Sequence, residues 1–325
     1  MPVFRMACAR RIPTSSTRTC SPSSRADRKR KRRLAMTSTT TAMAEEYLER
    51  ADGPRIFVRS WHPASRPSAV VAICHGVNSH SGQYFWAAEQ MAAAGHAVYA
   101  LDLRGRGKSD GERFFVENVT EYVDDLSMLI QLAKQREPGL PVFLLGHSAG
   151  GVVSTTYALD HQAELSGFIC ESFAFQVYAP DFALVVVKGL SHVAPDFHVL
   201  RLNNEDFSRD AASVTSMNDD PLIDKEVQPT STVAALIRAN ERLKRDFPLI
   251  TLPVLILHGT ADKATKPAGS QLFFDTAGSA DKTLKLYPGH FHDLLNDLGR
   301  KEVIAHVLRW IAARVPVRLA LAGVE

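Results

Sequence analysis

From about residue 46 onward, short runs of β-branched and aliphatic residues alternate with longer amphipathic stretches, the pattern of βαβ units built around a parallel sheet. Residues 46–50 and 55–61 flank Asp52-Gly53, a turn dipeptide, so the sheet is expected to begin with an antiparallel hairpin. Apolar runs too short for helices predict buried strands at Ala69-Val-Val-Ala-Ile-Cys74, Ala97-Val-Tyr-Ala-Leu101, Val142-Phe-Leu-Leu145, Gly167-Phe-Ile-Cys170, Pro253-Val-Leu-Ile-Leu-His258 and Thr283-Leu-Lys-Leu-Tyr287. Segments 82–94, 119–136, 150–161, 266–277 and 299–314 are expected as helices, with Gly95 and Pro138-Gly139 stopping the first two. Between 172 and 247 the alternation breaks, and helical stretches rich in aromatic and aliphatic residues follow one another without strands. The expected architecture is α/β: a mostly parallel eight-stranded sheet covered by helices on both faces, formed by 44–171 and 248–316. Segment 172–247 is expected as a helical cap over the carboxyl edge of the strands, where open α/β sheets bind ligands.

Composition narrows the class. With 45% hydrophobic and 22% charged residues among 325, the chain is neither fibrous nor wholly disordered. The net charge of +3 hides a division: residues 1–35 carry eleven of the 38 Lys and Arg and one of the 35 Asp and Glu, a balance of +10, which leaves −7 for the remainder. Arg25-Ala-Asp-Arg-Lys-Arg-Lys-Arg-Arg33 has no apolar periodicity around it, so 1–43 reads as a disordered basic tail. Three origins fit it: a start assigned upstream of Met36 or Met43, an organellar targeting segment in 1–35, or an interaction tail. The acidic body argues against a nucleic-acid partner. Cys8, Cys20, Cys74 and Cys170 have no C-x-x-C spacing, which suits buried thiols in a reducing compartment. No apolar stretch reaches the roughly 18 residues needed to span a bilayer, so the expected location is cytoplasmic, with any membrane contact peripheral.

Gly146-His-Ser-Ala-Gly150 lies between a predicted strand and a predicted helix. A turn this tight strains its central residue and tolerates only small neighbours, which exposes the Ser148 hydroxyl as a candidate nucleophile. A serine hydroxyl needs a base, and in such a sheet the acid and base arrive on loops after later strands. Asp262, after the strand 253–258, is the candidate acid. The last loop, Pro288-Gly-His-Phe-His-Asp293, offers His292 as the base and His290 as loop packing or pocket lining. Asp293 and Asp297 are expected to be solvated charges near a helix start. The amides of Ala149 and of Val77, in the loop His75-Gly-Val-Asn-Ser-His-Ser-Gly82, are the candidate oxyanion donors, with His75 as scaffold. Gly105-Arg-Gly-Lys-Ser109 looks like part of a phosphate loop, yet Asp102 stands where its leading glycine belongs, so nucleotide binding is not expected. No metal-ligand spacing is present and no cofactor is expected. Asn78, His147, Glu171, Phe173, Phe175 and Tyr178 are the candidate substrate-pocket residues, and Glu171, just after the fourth buried strand, reads either as a pocket charge or pH-sensitive group or as a satisfied hydrogen-bonding residue.

Over residues 46–314, and in order, His75-Gly76 with Ser81-Gly82, Asp102-Leu-Arg-Gly-Arg-Gly-Lys-Ser-Asp-Gly-Glu-Arg113, Gly146-His-Ser-Ala-Gly-Gly151, Asp219-Asp-Pro-Leu222, His258-Gly-Thr-Ala-Asp262 and Gly289-His-Phe-His-Asp293 resemble the monoacylglycerol lipase and lysophospholipase group of α/β-hydrolases. The resemblance implies hydrolysis of carboxylic esters of glycerol or similar alcohols through an acyl-enzyme, with Ser148, His292 and Asp262 as the triad and Val77 and Ala149 at the oxyanion. It also departs from the family: Asn78-Ser79 replaces a glycine-glutamate pair, and Glu171-Ser172 stands where small neutral residues are common. Both departures bear on substrate choice. The apolar stretch Pro180-Asp-Phe-Ala-Leu-Val-Val-Val-Lys188 suits a monoacyl lipid and a transient membrane-surface contact, or the packing of a cap helix on the core. Two other classes use the same fold: a general carboxylesterase or acyltransferase with the same triad, and a non-catalytic ligand receptor, in which nucleophile or base is typically lost.

Overall fold

Alternation of side chains along each strand decides which face it buries. The computed structural model describes residues 42–51 and 53–316, and in it β1 (Ala42–Leu48) pairs antiparallel with β2 (Ile56–His62), Ala42 opposite His62 and Leu48 opposite Ile56. Ala42 and Met43, expected in the tail, are the first residues of this strand because their backbones pair with β2. The rest of the expected tail, with Cys8 and Cys20, lies outside the described residues, as does Asp52 of the expected turn.

The chain continues through β3 (Ala69–Cys74), a 3-10 turn Ser81–Tyr84, α1 (Phe85–Ala93), β4 (His96–Leu101), α2 (Val119–Arg136), β5 (Val142–His147), α3 (Ala149–His161) and β6 (Gly167–Glu171). Then come α4 (Asp181–Leu190), β7 (His198–Leu200), α5 (Ala211–Asn218), β8 (Gln228–Pro229) and α6 (Thr230–Asp246). The last elements are β9 (Val254–Gly259), α7 (Pro267–Thr276), β10 (Lys282–Tyr287) and α8 (Arg300–Ala312). Eight strands form one sheet in the order β1-β2-β4-β3-β5-β6-β9-β10, antiparallel at β1–β2 and β2–β4 and parallel elsewhere. Along β3, Val70, Ala72 and Cys74 join a core with Leu144, Phe168 and Ile256, while Val71 and Ile73 join the opposite core with Phe143, Leu145 and Ile169. Burial on both faces is what a helix-covered parallel sheet requires. Helix α2 begins where Asn118 accepts the Thr120 N–H and Glu121 accepts the Asn118 N–H, a reciprocal cap that satisfies two otherwise orphaned donors.

The segment expected as a cap is not uniform. Helix α4 buries no residue, and Phe207, Met217 and Ile223 form a small cluster of their own with Leu202. Helix α6 differs: Ala235, Ala239 and Leu243 join the main core beside Phe247. The expected boundary at 247 therefore falls after a helix whose apolar stripe packs with the sheet, and at the other end Phe173, with Ala174 and Phe175 beside it, also joins that core. Among the described residues no helix is long and apolar enough to cross a membrane.

Candidate active site

One residue separates β5 from α3. Ser148 has φ 56° and ψ −121°, a conformation that costs a non-glycine residue about 1–3 kcal/mol and persists only where its surroundings hold it. Its N–H donates to the Glu171 carbonyl at 2.9 Å and its own carbonyl accepts the Gly151 N–H at 2.9 Å. Close approach fixes the flanking glycines. A Cβ on Gly150 would stand 2.3 Å from the carbonyl oxygens of both Cys74 and His75, and one on Gly76 would stand 2.8 Å from the Ser148 Cβ. The loop after β3 thus lies directly against the serine, which brings Val77 and Ala149 to the same corner of the sheet. Ala149 opens α3, where an amide has no intrahelical acceptor and is free to meet an anion.

Of the two candidate histidines, His292 meets Asp262: its Nδ1–H donates to Asp262 Oδ2 at 2.7 Å, and both side chains are fully buried. His290 instead lies 3.8 Å from Asp297 and packs against the Tyr287 ring. Asp262 is gripped by four more donors. His258 Nε2–H reaches Oδ2 at 3.0 Å, Thr265 Oγ1–H reaches it at 2.8 Å, and the amides of Ala264 and Thr265 reach Oδ1 at 2.8 and 2.9 Å. Burial alone would raise this carboxyl, but His292 and His258 outweigh it and hold Asp262 well below the usual carboxylate range. The His258 tautomer is set by Nδ1 accepting from Ser270 Oγ at 2.7 Å. The Nε2 of His292 is buried with no hydrogen-bond partner among the described residues, and Phe207 from the insertion stands edge-on to the ring at 4.9 Å.

The loop carrying Val77 is scaffolded from below. His75 Nδ1–H donates to the Gly76 carbonyl at 2.7 Å and Nε2 accepts the Leu103 N–H at 3.0 Å; burial lowers this imidazole to about 4, so it is neutral. Asp102 accepts the Ser81 and Lys108 amides at 2.7 and 2.8 Å, so the Gly105–Ser109 turn is folded onto a carboxylate, the opposite of a phosphate cradle. Asn78 sits at φ 51°, donates its side-chain amide to the Leu202 carbonyl and Asn204, and gives its backbone N–H to Glu226 at 2.9 Å. Glu226 in turn pairs with the buried Arg106, which also reaches Gln228 and the Tyr122 hydroxyl.

The candidate pocket residues divide. Asn78 faces a cavity of about 110 Å³ that Leu202, Asn204, Asn218 and Glu226 also line. Tyr178 is exposed, and its hydroxyl donates to the Asp262 carbonyl at 2.9 Å. Phe173 is fully buried among Phe175, Phe247 and Phe273, and Phe175 packs against the same core. His147 and Glu171 lie beneath the site, buried within the protein. Asp293 and Asp297 are also buried rather than solvated, because Asp297 accepts from Arg209 and from the Phe291 N–H and Asp293 is turned inward toward His147 and Glu171. One ligand atom of each of these last three lies within 4.8 Å of the others, although nothing in their sequence spacing links them. Phe207, Thr265, Glu226 and Tyr84 belong to the site's surroundings without a sequence signal. His258 had one, its place four residues before Asp262 at a strand end.

The family described as serine aminopeptidase, S33, matches residues 65–299. The chain is 33% identical to the monoacylglycerol lipase of Mycolicibacterium smegmatis over 265 residues, covering 81% of this chain and 95% of that one. It is 35% identical to the monoglyceride lipase of Rattus norvegicus over 280 residues, covering 85% and 92%. Among solved structures, a monoacylglycerol lipase of Paleococcus ferrophilus matches with a TM-score of 0.71 at 26% identity, over 85% of this chain and 99% of that one. A soluble variant of the Saccharomyces cerevisiae monoglyceride lipase shares the fold, with a TM-score of 0.77 at 22% identity over 87% and 98%. With its sheet order, its strained serine between β5 and α3, and these relatives, the chain belongs to the serine aminopeptidase S33 family of α/β-hydrolases and is a serine ester hydrolase of the monoacylglycerol lipase type.

Proposed function

We propose that the protein hydrolyses monoacyl esters of glycerol or a similar small alcohol through an acyl-enzyme on Ser148. The observation that carries this is the buried His292–Asp262 pair at 2.7 Å, with a free Nε2, on the same edge of the sheet as the strained Ser148. In the first half-reaction His292 Nε2 takes the Ser148 proton as Oγ attacks the ester carbonyl. The Val77 and Ala149 amides donate to the oxyanion, and the departing alcohol receives the proton from His292. Water repeats the sequence, releasing the fatty acid and returning the proton to Ser148. Asp262 keeps Nδ1 protonated and stabilises the imidazolium, and its five donors hold it in place for that task.

The lipid part of the assignment rests on the segment 172–229, read as the cap, and on the relatives. Phe182, Val185 and Val186 of α4 are 72%, 63% and 60% exposed, with Val193 and Phe197 beside them in sequence, an apolar face suited to an acyl chain and to peripheral contact with a membrane surface. The yeast neighbour, whose structure holds a substrate analogue, is a monoglyceride lipase. The buried free thiols of Cys74 and Cys170 suit a cytoplasmic location. The test is a fluorophosphonate label followed by an ester panel. Labelling that Ser148→Ala abolishes, and turnover that rises from acetyl to long monoacylglycerols, is expected. Labelling that survives the substitution refutes the nucleophile, and equal turnover of acetyl esters refutes the lipid substrate.

A further inference from the structure

Behind His292 the structure buries a set of polar groups that the acyl-transfer chemistry does not use. Glu171 ends β6, His147 ends β5, and Asp293 follows His292; all three are buried, and one ligand atom of each lies within 4.8 Å of the others. Glu171 Oε2, Asp293 Oδ1, both ring nitrogens of His147 and the Tyr84 hydroxyl have no hydrogen-bond partner among the described residues. The partners they do have are informative. Glu171 Oε1 accepts the Leu295 N–H at 3.1 Å, and Asp293 Oδ2 accepts the Asn296 side-chain amide at 2.9 Å, so both carboxyls fasten the loop that carries His292. The Glu171 carbonyl accepts the Ser148 N–H at 2.9 Å. Next to it Ser172, at φ 48°, donates through Oγ to the His292 carbonyl, and its own carbonyl oxygen lies 3.2 Å from the Thr265 hydroxyl oxygen, whose proton goes to Asp262. The Glu171–Ser172 pair therefore touches the serine turn, the Asp262 loop and the His292 loop at once.

We propose that Glu171 is a positioning residue, whose side chain ties the His292 loop to the strand that also holds the Ser148 turn. The inference rests on the triad assigned above. Its chemistry follows from counting protons. Facing the Glu171 carboxyl are Asp293 and, through it, His292 from the last loop, His147 from β5, Tyr84 ahead of α1, Cys170 on β6 and Tyr287 on β10; none is a lysine or arginine. Burial, then Asp293, push Glu171 well above the ordinary glutamate value, and burial also lowers His147 well below its own. Two carboxyls this close in a dry site retain a proton between them. A protonated Glu171, a neutral His147 and the Tyr84 hydroxyl supply three donors that one bridging water can connect to the unpartnered oxygens. Loss of the Glu171 proton sets two anions side by side beneath His292 and loosens the loop.

The experiment compares Glu171→Ala, Glu171→Gln and Ser148→Ala, using fluorophosphonate labelling and the pH dependence of kcat and KM on a short soluble ester. Labelling abolished by Ser148→Ala secures the triad independently of Glu171; labelling that survives it overturns the triad and the inference with it. With the triad secured, Glu171→Ala is expected to lower kcat about 10- to 100-fold with KM nearly unchanged, the scale of a sub-ångström misplacement. Glu171→Gln keeps an acceptor for Leu295 and a donor toward Asp293, so it is expected to recover most of the rate and to retain it at alkaline pH where the wild type declines. An unchanged kcat in Glu171→Ala, or a Glu171→Gln variant that keeps the wild-type alkaline decline, overturns the proposal. Should Glu171→Ala fail to fold, the glutamine pH profile decides alone.

Discussion

The buried pair Arg106–Glu226 couples the insertion to the loop that carries the proposed oxyanion donor, and cutting it tests that coupling. Arg106 is 2% exposed and Glu226 3%. Glu226→Ala leaves the guanidinium with Gln228 and Tyr122 as its remaining partners, and an uncompensated buried charge costs about 3–5 kcal/mol. At about 2–4 °C per kcal/mol for a domain of this size, the melting temperature is expected to fall by about 6–20 °C. The same substitution removes the acceptor of the Asn78 N–H, one residue past Val77, where Asn78 already holds a positive φ. If the Val77 amide loses alignment, kcat falls by as much as about 10²–10³, the worth of one oxyanion donor. Glu226→Gln separates the effects: its Oε1 still accepts from Asn78, so kcat largely survives while the charge of Arg106 remains unpaired and stability drops. Replacing both residues by methionine is expected to regain stability relative to the sum of the single losses, but not kcat. Thermal unfolding with ester kinetics on Glu226→Ala, Glu226→Gln, Arg106→Met, Glu226→Met and the double methionine variant measures all of this. Stability losses that simply add in the double variant, or an unchanged kcat in Glu226→Ala, refute the coupling.

Further outcomes follow from single distances and exposures. Asp262→Asn cannot offer oxygens to His292, His258 and the two amides at once; it is expected to hold His292 in the wrong tautomer and lower kcat about 10⁴-fold with little change in KM, read from steady-state kinetics. Gly150→Ala drives a methyl group into two backbone carbonyls 2.3 Å away, and a loss of about 1–3 kcal/mol is expected in urea unfolding. Aspartates at Phe182 and Val186 should cut turnover of long monoacylglycerols in vesicles and leave a short dissolved ester near the wild-type rate, measured side by side on the two substrates. Because Glu171 is raised in the folded state, the native protein holds more protons than the unfolded chain above the ordinary glutamate value. Its contribution to stability therefore declines as pH climbs from that value through the raised one, and Glu171→Gln should flatten this part of the pH–stability curve.

Most of the sheet was legible because its strands are buried on both faces, and two-sided burial writes itself as uninterrupted apolar runs. Val142-Phe-Leu-Leu145 and Gly167-Phe-Ile-Cys170 are expected within two residues of their observed ends, and the expected end of α2 coincides with the observed one because Pro138-Gly139 marks it chemically. The serine turn was legible for a similar reason: close backbone contact at Gly146 and Gly150 excludes side chains, and that exclusion is visible as letters. The limit of the insertion was not legible. Helix α6 shows its alanines, Ala235 and Ala239, to the core and its charges to the outside, and small apolar residues carry little signal of which body they pack against.

The same contrast governs the site. Ser148, Asp262 and His292 each follow a strand, so chain order and strand ends placed them on one edge. Glu171 and Asp293 also sit at a strand end and in a loop, and Asp293 reads there as a solvated charge, whereas the loop after β10 folds back over β6 and encloses both carboxyls. What makes that enclosure tolerable is a proton and a neutral imidazole, neither of which has a sequence letter. A buried acid beside a histidine loop thus becomes visible only when the contacts that fasten that loop are known.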